Sequence, residues 1–127
     1  MKGERLFISE DKKTIAMLIL KGTEEIFCDG SQMKKLIANT TDAAQEKHVP
    51  EVKVEGKKIS VKVGSVPHPM TEGHWIQWIY LQTKCGGQYR LLQPTDKPEA
   101  TFTVPDDDEP VAVYEYCNLH GLWKKDL

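Results

Sequence analysis

Apolar residues fall on every second position from the middle of the chain onward. Val52 and Val54, then Ile59, Val61 and Val63, follow this period of two, which turns one side-chain face to a core and the other to water. Glu55-Gly56 between the two runs predicts a tight turn, so the segment reads as a β-hairpin. The run His74-Trp75-Ile76-Gln77-Trp78-Ile79-Tyr80-Leu81 is apolar on both faces and rich in β-branched and aromatic residues, which predicts a strand inside a sandwich. Cys85-Gly86-Gly87 predicts the turn into a strand over residues 88–93, and runs at 100–104 and 111–116 continue the series across proline-rich loops. No helical periodicity intervenes. About six short strands in succession predict an all-β, antiparallel, immunoglobulin-like sandwich.

The first 40 residues are patterned differently. Residues 14–20 are strand-like, a second short strand is predicted near 25–27, and Asp29-Gly30 marks a turn. This is too little apolar surface to hold a core alone, so the segment is expected to pack on the sandwich or on a second subunit. The polar cluster Asn39-Thr40-Thr41-Asp42 sets the boundary, giving a small N-terminal β segment, 1–39, and a sandwich domain, 40–127.

Composition narrows the function classes. The 127 residues suit one ordinary domain, or one with a small appendage. Seventeen basic and nineteen acidic residues give a net charge of -2 without a basic stripe, so nucleic acid is not an expected partner. Met1-Lys2-Gly3-Glu4-Arg5 is charged from the start, and the apolar run 15–20 is too short for a secretory signal or a membrane span. A soluble, cytoplasmic protein with no membrane partner is the expectation. Three cysteines at irregular spacing argue against a disulfide framework. The acidic run Asp106-Asp107-Asp108-Glu109, bracketed by Pro105 and Pro110, reads as a solvated loop.

The candidate chemistry lies with the histidines. There are four, His48, His68, His74 and His120, and each lies in or beside a loop of the predicted sandwich. His48 follows Glu46-Lys47 and is backed by Pro50. His68 stands between Pro67 and Pro69, which restrict the backbone on both sides and leave its imidazole little freedom to lose on binding a metal. His74 opens the long strand after a separation that a loop can fold back over. In Cys117-x-x-His120-Gly121, a tight turn after the last strand brings thiol and imidazole to one point, where backbone amides beyond the cysteine can aim at its sulfur. Gly121 lets the chain leave that turn without a Cβ clash.

Taken singly, each of these residues has a plainer reading. A lone Cys-x-x-His is structural in most proteins, and a histidine at a strand end is more often hydrogen-bonded core or surface than a ligand. Trp75, Trp78 and Met70 read as core, and Lys47 as a solvated lysine. The joint pattern shifts the balance, because no histidine is spent elsewhere. Structural zinc takes four donors, normally with more sulfur. Four imidazoles and a thiolate suit a transition metal with histidines around the equator, sulfur on the axis and one position open to a small oxygen species. Electron donation from the thiolate favours iron, which cycles between two oxidation states.

Four stretches in order, Glu46-Lys47-His48-Val49-Pro50, Gly64-Ser65-Val66-Pro67-His68-Pro69-Met70, His74-Trp75-Ile76 and Cys117-Asn118-Leu119-His120-Gly121, together resemble the iron-binding domain of the desulfoferrodoxin and neelaredoxin family, the superoxide reductases. The match runs from about Thr40 to Trp123. This resemblance implies a seven-stranded immunoglobulin-like sandwich carrying one iron, held by His48, His68, His74 and His120 with Cys117 on the axis. It implies one-electron reduction of superoxide to hydrogen peroxide. Lys47 matches the family lysine that attracts the anionic substrate, and Glu46 the glutamate that closes onto ferric iron after product leaves. A rubredoxin or similar small donor would return the electron, and a homodimer is expected.

The N-terminal segment departs from the two-iron members, in which a desulforedoxin-like domain binds a second iron through four cysteines. Here the first 27 residues hold no cysteine and Phe27-Cys28 stands where a tandem pair would be, so no second iron centre is expected. Residues 1–39 resemble a remnant of that domain, left with a packing or dimerisation role. Cys28 and Cys85 read as leftover thiols. Two other readings stay open at this point. One is a cupredoxin-like electron carrier, which needs two histidines, a cysteine and usually a downstream methionine. The other is a metal-free interaction module in which the histidines cap loops.

Overall fold

A computed structural model of the chain describes residues 5–22 and 25–127. The charged start at residues 1–4 lies outside the described residues. The chain divides into two compact units, Met1–Ile37 and Ala38–Leu127.

In the first unit, β1 (Leu6–Ile8) is flanked by β2 (Ile15–Met17) and β5 (Lys34–Lys35) in an antiparallel sheet, and β3 (Phe27–Cys28) pairs with β4 (Ser31–Gln32). The turn between β3 and β4 falls at Asp29-Gly30, with φ of 49° and 81°. Two successive left-handed residues match the right-handed twist of a tight hairpin, and aspartate and glycine bear that conformation most easily. Cys28 is the one cysteine of this unit and is half-buried.

The second unit is a seven-stranded sandwich. One sheet runs β10 (Glu99–Thr103), β7 (Lys58–Val63), β6 (Pro50–Glu55), and the other runs β12 (Gly121–Asp126), β11 (Pro110–Cys117), β8 (Ile76–Thr83), β9 (Gly87–Leu91), with neighbours antiparallel throughout. Gly56, at φ 62°, closes the β6–β7 hairpin where the sequence places its turn. Ile59, Val61 and Val63 of β7, Ala100 and Phe102 of β10, Ile79 and Leu81 of β8 and Val113 and Cys117 of β11 fill the space between the sheets. Each large apolar side chain so buried contributes about 1.5–3 kcal/mol. That core holds rigid the strand ends from which the loops depart.

In the first unit β1, β4 and β5 were not predicted and the strand expected over 14–20 is confined to Ile15–Met17, while three details of the second unit bear on the site. The long strand begins at Ile76 rather than His74, because the backbone of His74 pairs with Thr71 in an isolated bridge and the 73–75 stretch is drawn into a loop. A single helical turn, α1 (Gln45–His48), precedes β6 and is too short to show a period. Finally, β12 follows the Cys-x-x-His turn directly and carries Lys124-Lys125, which hides its alternation.

Candidate metal centre

Loops at one end of the sandwich bring the histidines together, and each is anchored locally. The α1 turn places the His48 ring so that Nδ1 lies 2.7 Å from the Ala44 carbonyl. His68 sits in the loop after β7, its amide donating to the Val63 carbonyl and its Nδ1 lying 2.7 Å from the Pro69 carbonyl. His74 exchanges backbone hydrogen bonds with Thr71 at 2.9 and 3.1 Å. His120 lies in the β11–β12 turn, where the Trp123 indole donates to its carbonyl at 3.1 Å. Trp123 is buried and stacks on the His48 ring at 5.0 Å, so one indole supports two members of the set.

The four imidazoles close a circuit. Ring centroids are 4.7 Å apart for His48–His68, 4.6 Å for His68–His74, 5.1 Å for His74–His120 and 4.8 Å for His120–His48, and each pair meets edge to face. One ligand atom from each, together with the Cys117 sulfur, lies within 4.8 Å of all the others. A carbonyl only accepts, so the Nδ1 of His48 and of His68 each carry the proton, and both Nε2 atoms present lone pairs. Those two atoms stand 3.1 Å apart. Facing lone pairs repel, and a cation between them removes the conflict. His74 Nε2, moreover, is buried with no hydrogen-bond partner. Both observations fit a metal ion held by these residues.

Electrostatics agree. Burial, with help from the neighbouring imidazoles, lowers the pKa of His48 and of His74 and brings His68 down to about 4. These rings are neutral near pH 7, the state a metal ligand requires. Burial pushes the Cys117 thiol up, while the backbone amides of His120 and Leu119 hydrogen-bond the sulfur and pull the other way. Without a metal these three imidazoles and the thiol therefore stay uncharged. A cation converts the thiol to thiolate, which the same two amides then stabilise.

Glu46 and Lys47 are exposed on α1, beside the buried His48. The Lys47 charge reaches the pocket, being among the causes that lower His74. Gly64 fixes where α1 lies: a Cβ there would stand 2.6 Å from the Glu46 carbonyl oxygen and 2.9 Å from that of Val49. The same Glu46 carbonyl accepts from the Val66 amide at 2.9 Å and from Ser65 Oγ at 3.3 Å. The loop that carries His68 thus grips the turn that carries Glu46, Lys47 and His48.

The chain matches the desulfoferrodoxin family over residues 40–126. The chain belongs to the desulfoferrodoxin family. A desulfoferrodoxin of Clostridium acetobutylicum is 43% identical over 96% of this chain and 95% of its own length. A superoxide reductase of Pyrococcus horikoshii is 33% identical over 75% of this chain and 97% of its own. Among solved structures, the superoxide reductase of Treponema pallidum superposes with a TM-score of 0.79 at 39% identity, covering 95% of this chain and 98% of that one.

All five ligands expected of a desulfoferrodoxin converge, and the blue-copper reading fails on the same geometry. Four imidazoles are too many for it, and the sulfur of Met70, the last methionine, accepts from the Ile76 amide at 3.4 Å. The sequence reading missed Glu115, although its signal was present: Glu115 shares the inward parity of Val113 and Cys117 on β11. It is fully buried, and neither carboxylate oxygen has a hydrogen-bond partner. Burial pushes its carboxyl well above the usual carboxylate range of about 4.5. The unfolded chain releases this proton at lower pH than the folded chain does, so stability falls as pH rises above that point. Glu115→Met keeps the volume and removes the acid. The variant's gain in thermal midpoint over the metal-free parent should widen from about pH 5 to pH 8, reaching the equivalent of about 1–3 kcal/mol. A gain that does not change with pH would mean that Glu115 is already ionised in the folded chain.

Proposed function

We propose that the chain is a superoxide reductase, an oxidoreductase that reduces superoxide to hydrogen peroxide at one iron held by His48, His68, His74, His120 and Cys117. The observation that carries this is the closed circuit of four imidazoles with a buried thiol among them, all five donors within 4.8 Å. The relatives named superoxide reductase support the same reading. The overall change adds one electron and two protons to superoxide. Iron in this donor set supplies the electron, cycling between its ferrous and ferric states. Everything else falls to the protein. The imidazoles and thiolate hold the metal, Trp123 backs the His48 ring, and the Leu119 and His120 amides temper the sulfur's charge. Lys47 draws the anionic substrate to the pocket and orders water for proton delivery. Glu46 would offer the metal an exchangeable further donor.

The proposal extends to partners. The electron comes back from rubredoxin or a similar small redox protein, and the active form is a homodimer in the cytoplasm. Residues 1–39 are a desulforedoxin-like segment without metal ligands, retained for packing or dimerisation; with Cys28 as its one thiol, it cannot supply four thiolates. Among the described residues, no helix is long and apolar enough to cross a membrane.

Protein produced in iron-rich medium should carry about one iron per chain, the number one five-donor site holds. Rapid mixing of its ferrous form with a superoxide pulse should yield peroxide without oxygen. Iron near zero would sink the reading, and oxygen released with the peroxide would replace reduction by dismutation.

A further inference from the structure

His74 differs from its neighbours in how it is held. The His48 and His68 rings are each pinned by an Nδ1 hydrogen bond to a carbonyl at 2.7 Å, whereas the buried Nε2 of His74 has no hydrogen-bond partner. The orientation its backbone gives the ring therefore matters for aiming that atom. That backbone is clamped on two sides. Thr71 exchanges amide hydrogen bonds with His74 itself, and Thr71 Oγ1 adds a contact to the His74 carbonyl at 3.3 Å.

The second clamp comes from the residue next to Cys117. The Asn118 side chain accepts from the Trp75 amide through Oδ1 at 2.9 Å and donates through Nδ2 to the Gly73 carbonyl at 3.0 Å, so its two ends seize the residues on either side of His74. Its own amide donates to the Trp75 carbonyl at 3.3 Å. One carboxamide thus ties the loop carrying His74 to the turn carrying Cys117 and His120. No charged or apolar side chain of this size offers a donor and an acceptor so spaced.

We infer that Asn118 is a positioning residue of the metal centre, holding His74 in register with Cys117 by bridging Gly73 and Trp75. The inference rests on the metal-centre reading above and deepens it. Asn118 does not touch the metal; it acts through the direction of the His74 ring, as outer partners of metal-bound histidines do. Its removal should therefore cost affinity only where His74 is present to be misdirected.

Cobalt(II) binding tests this by titration and by the visible spectrum, which reports the donor set without any turnover. Binding by the parent tests the reading itself, and a parent that takes up no cobalt overturns both. Asn118→Ala should bind cobalt about 10–100-fold more weakly. Asn118→Gln keeps the amide but moves it outward by one methylene, so that it cannot span both partners, and it should lose a similar factor with a shifted spectrum. Thermal midpoints of the metal-free variants check that each folds, and the glutamine variant decides if the alanine one does not. In a His74→Ala background, adding Asn118→Ala should change affinity by less than about twofold, since a residue that acts through another adds nothing once that one is gone. Parental affinity in both Asn118 variants, or equal penalties with and without His74, would overturn the assignment while leaving the metal centre standing.

Discussion

Cys117→Ser leaves a folded sandwich that has lost its metal chemistry. The side chain is fully buried at the end of β11, and serine fills nearly the same volume, so the metal-free variant should melt within a few degrees of the parent. Metal binding is another matter. A serine hydroxyl does not ionise near pH 7, so the only anionic donor among the five is gone, and iron(II) affinity should fall by more than about 100-fold, beyond what losing an outer partner costs. The thiolate-to-ferric charge-transfer colour should vanish with it. Proton release offers a second readout. Burial keeps His48, His68 and His74 neutral and Cys117 protonated. Metal uptake by the parent near pH 7 should therefore release about one proton more than uptake by the variant, the extra one coming from the thiol. Calorimetry in buffers of different ionisation enthalpy measures this directly. Equal release from both chains would mean that the thiol is not the donor.

The β-architecture of the second unit was legible because its strands are long enough to alternate. β7 reads buried, half-buried or exposed in strict turn, and β10 does the same. Gly56 announced its turn because that position requires a left-handed backbone. Where elements are two residues long, as β3, β4 and β5 are, there is no period to read; the Asp29-Gly30 turn and a short strand near 25–27 stood out, and β4 and β5 did not. β12 escaped notice for another reason: its first residue closes the Cys-x-x-His turn, so a motif covers the strand start.

At the site, the ligand types were visible and their supports were not. Four histidines beside prolines, strand ends and a Cys-x-x-His turn announce themselves by residue type. The residues that orient them are ordinary. Asn118 is one more polar residue in a turn until its two ends are found on Gly73 and Trp75. Gly64 is one of nine glycines, and only the closeness of the Glu46 and Val49 carbonyls shows why it bears no side chain. Trp123 belongs to no motif of its own, yet it is buried and stacks on His48. Such roles depend on contacts between residues far apart in sequence, which no local pattern carries. Glu115 is the exception, since an acid inside the otherwise uncharged run of β11 breaks the pattern in plain view.

Lys47→Ala is expected to spare the metal and slow the substrate. Lys47 is exposed, binds no metal itself and sits beside buried His48, so iron content and colour should match the parent's. The chain as a whole carries a net charge of -2 and repels an anion weakly. A cation at the pocket mouth must offset that repulsion where it matters, and the Lys47 charge already acts on His74. Its loss should lower the second-order rate constant with superoxide about tenfold at low ionic strength, the lower end of what steering contributes. The deficit should shrink above about 0.1 M salt, where the screening length falls to about 10 Å. Lys47→Arg keeps the charge and should restore the low-salt rate, which separates steering from a specific need for an ammonium group. If the alanine variant reacts as fast as the parent at low salt, the steering role is wrong and Lys47 is a solvated surface lysine. If arginine fails to restore the rate, the ammonium's place in ordering water for proton delivery outweighs its charge.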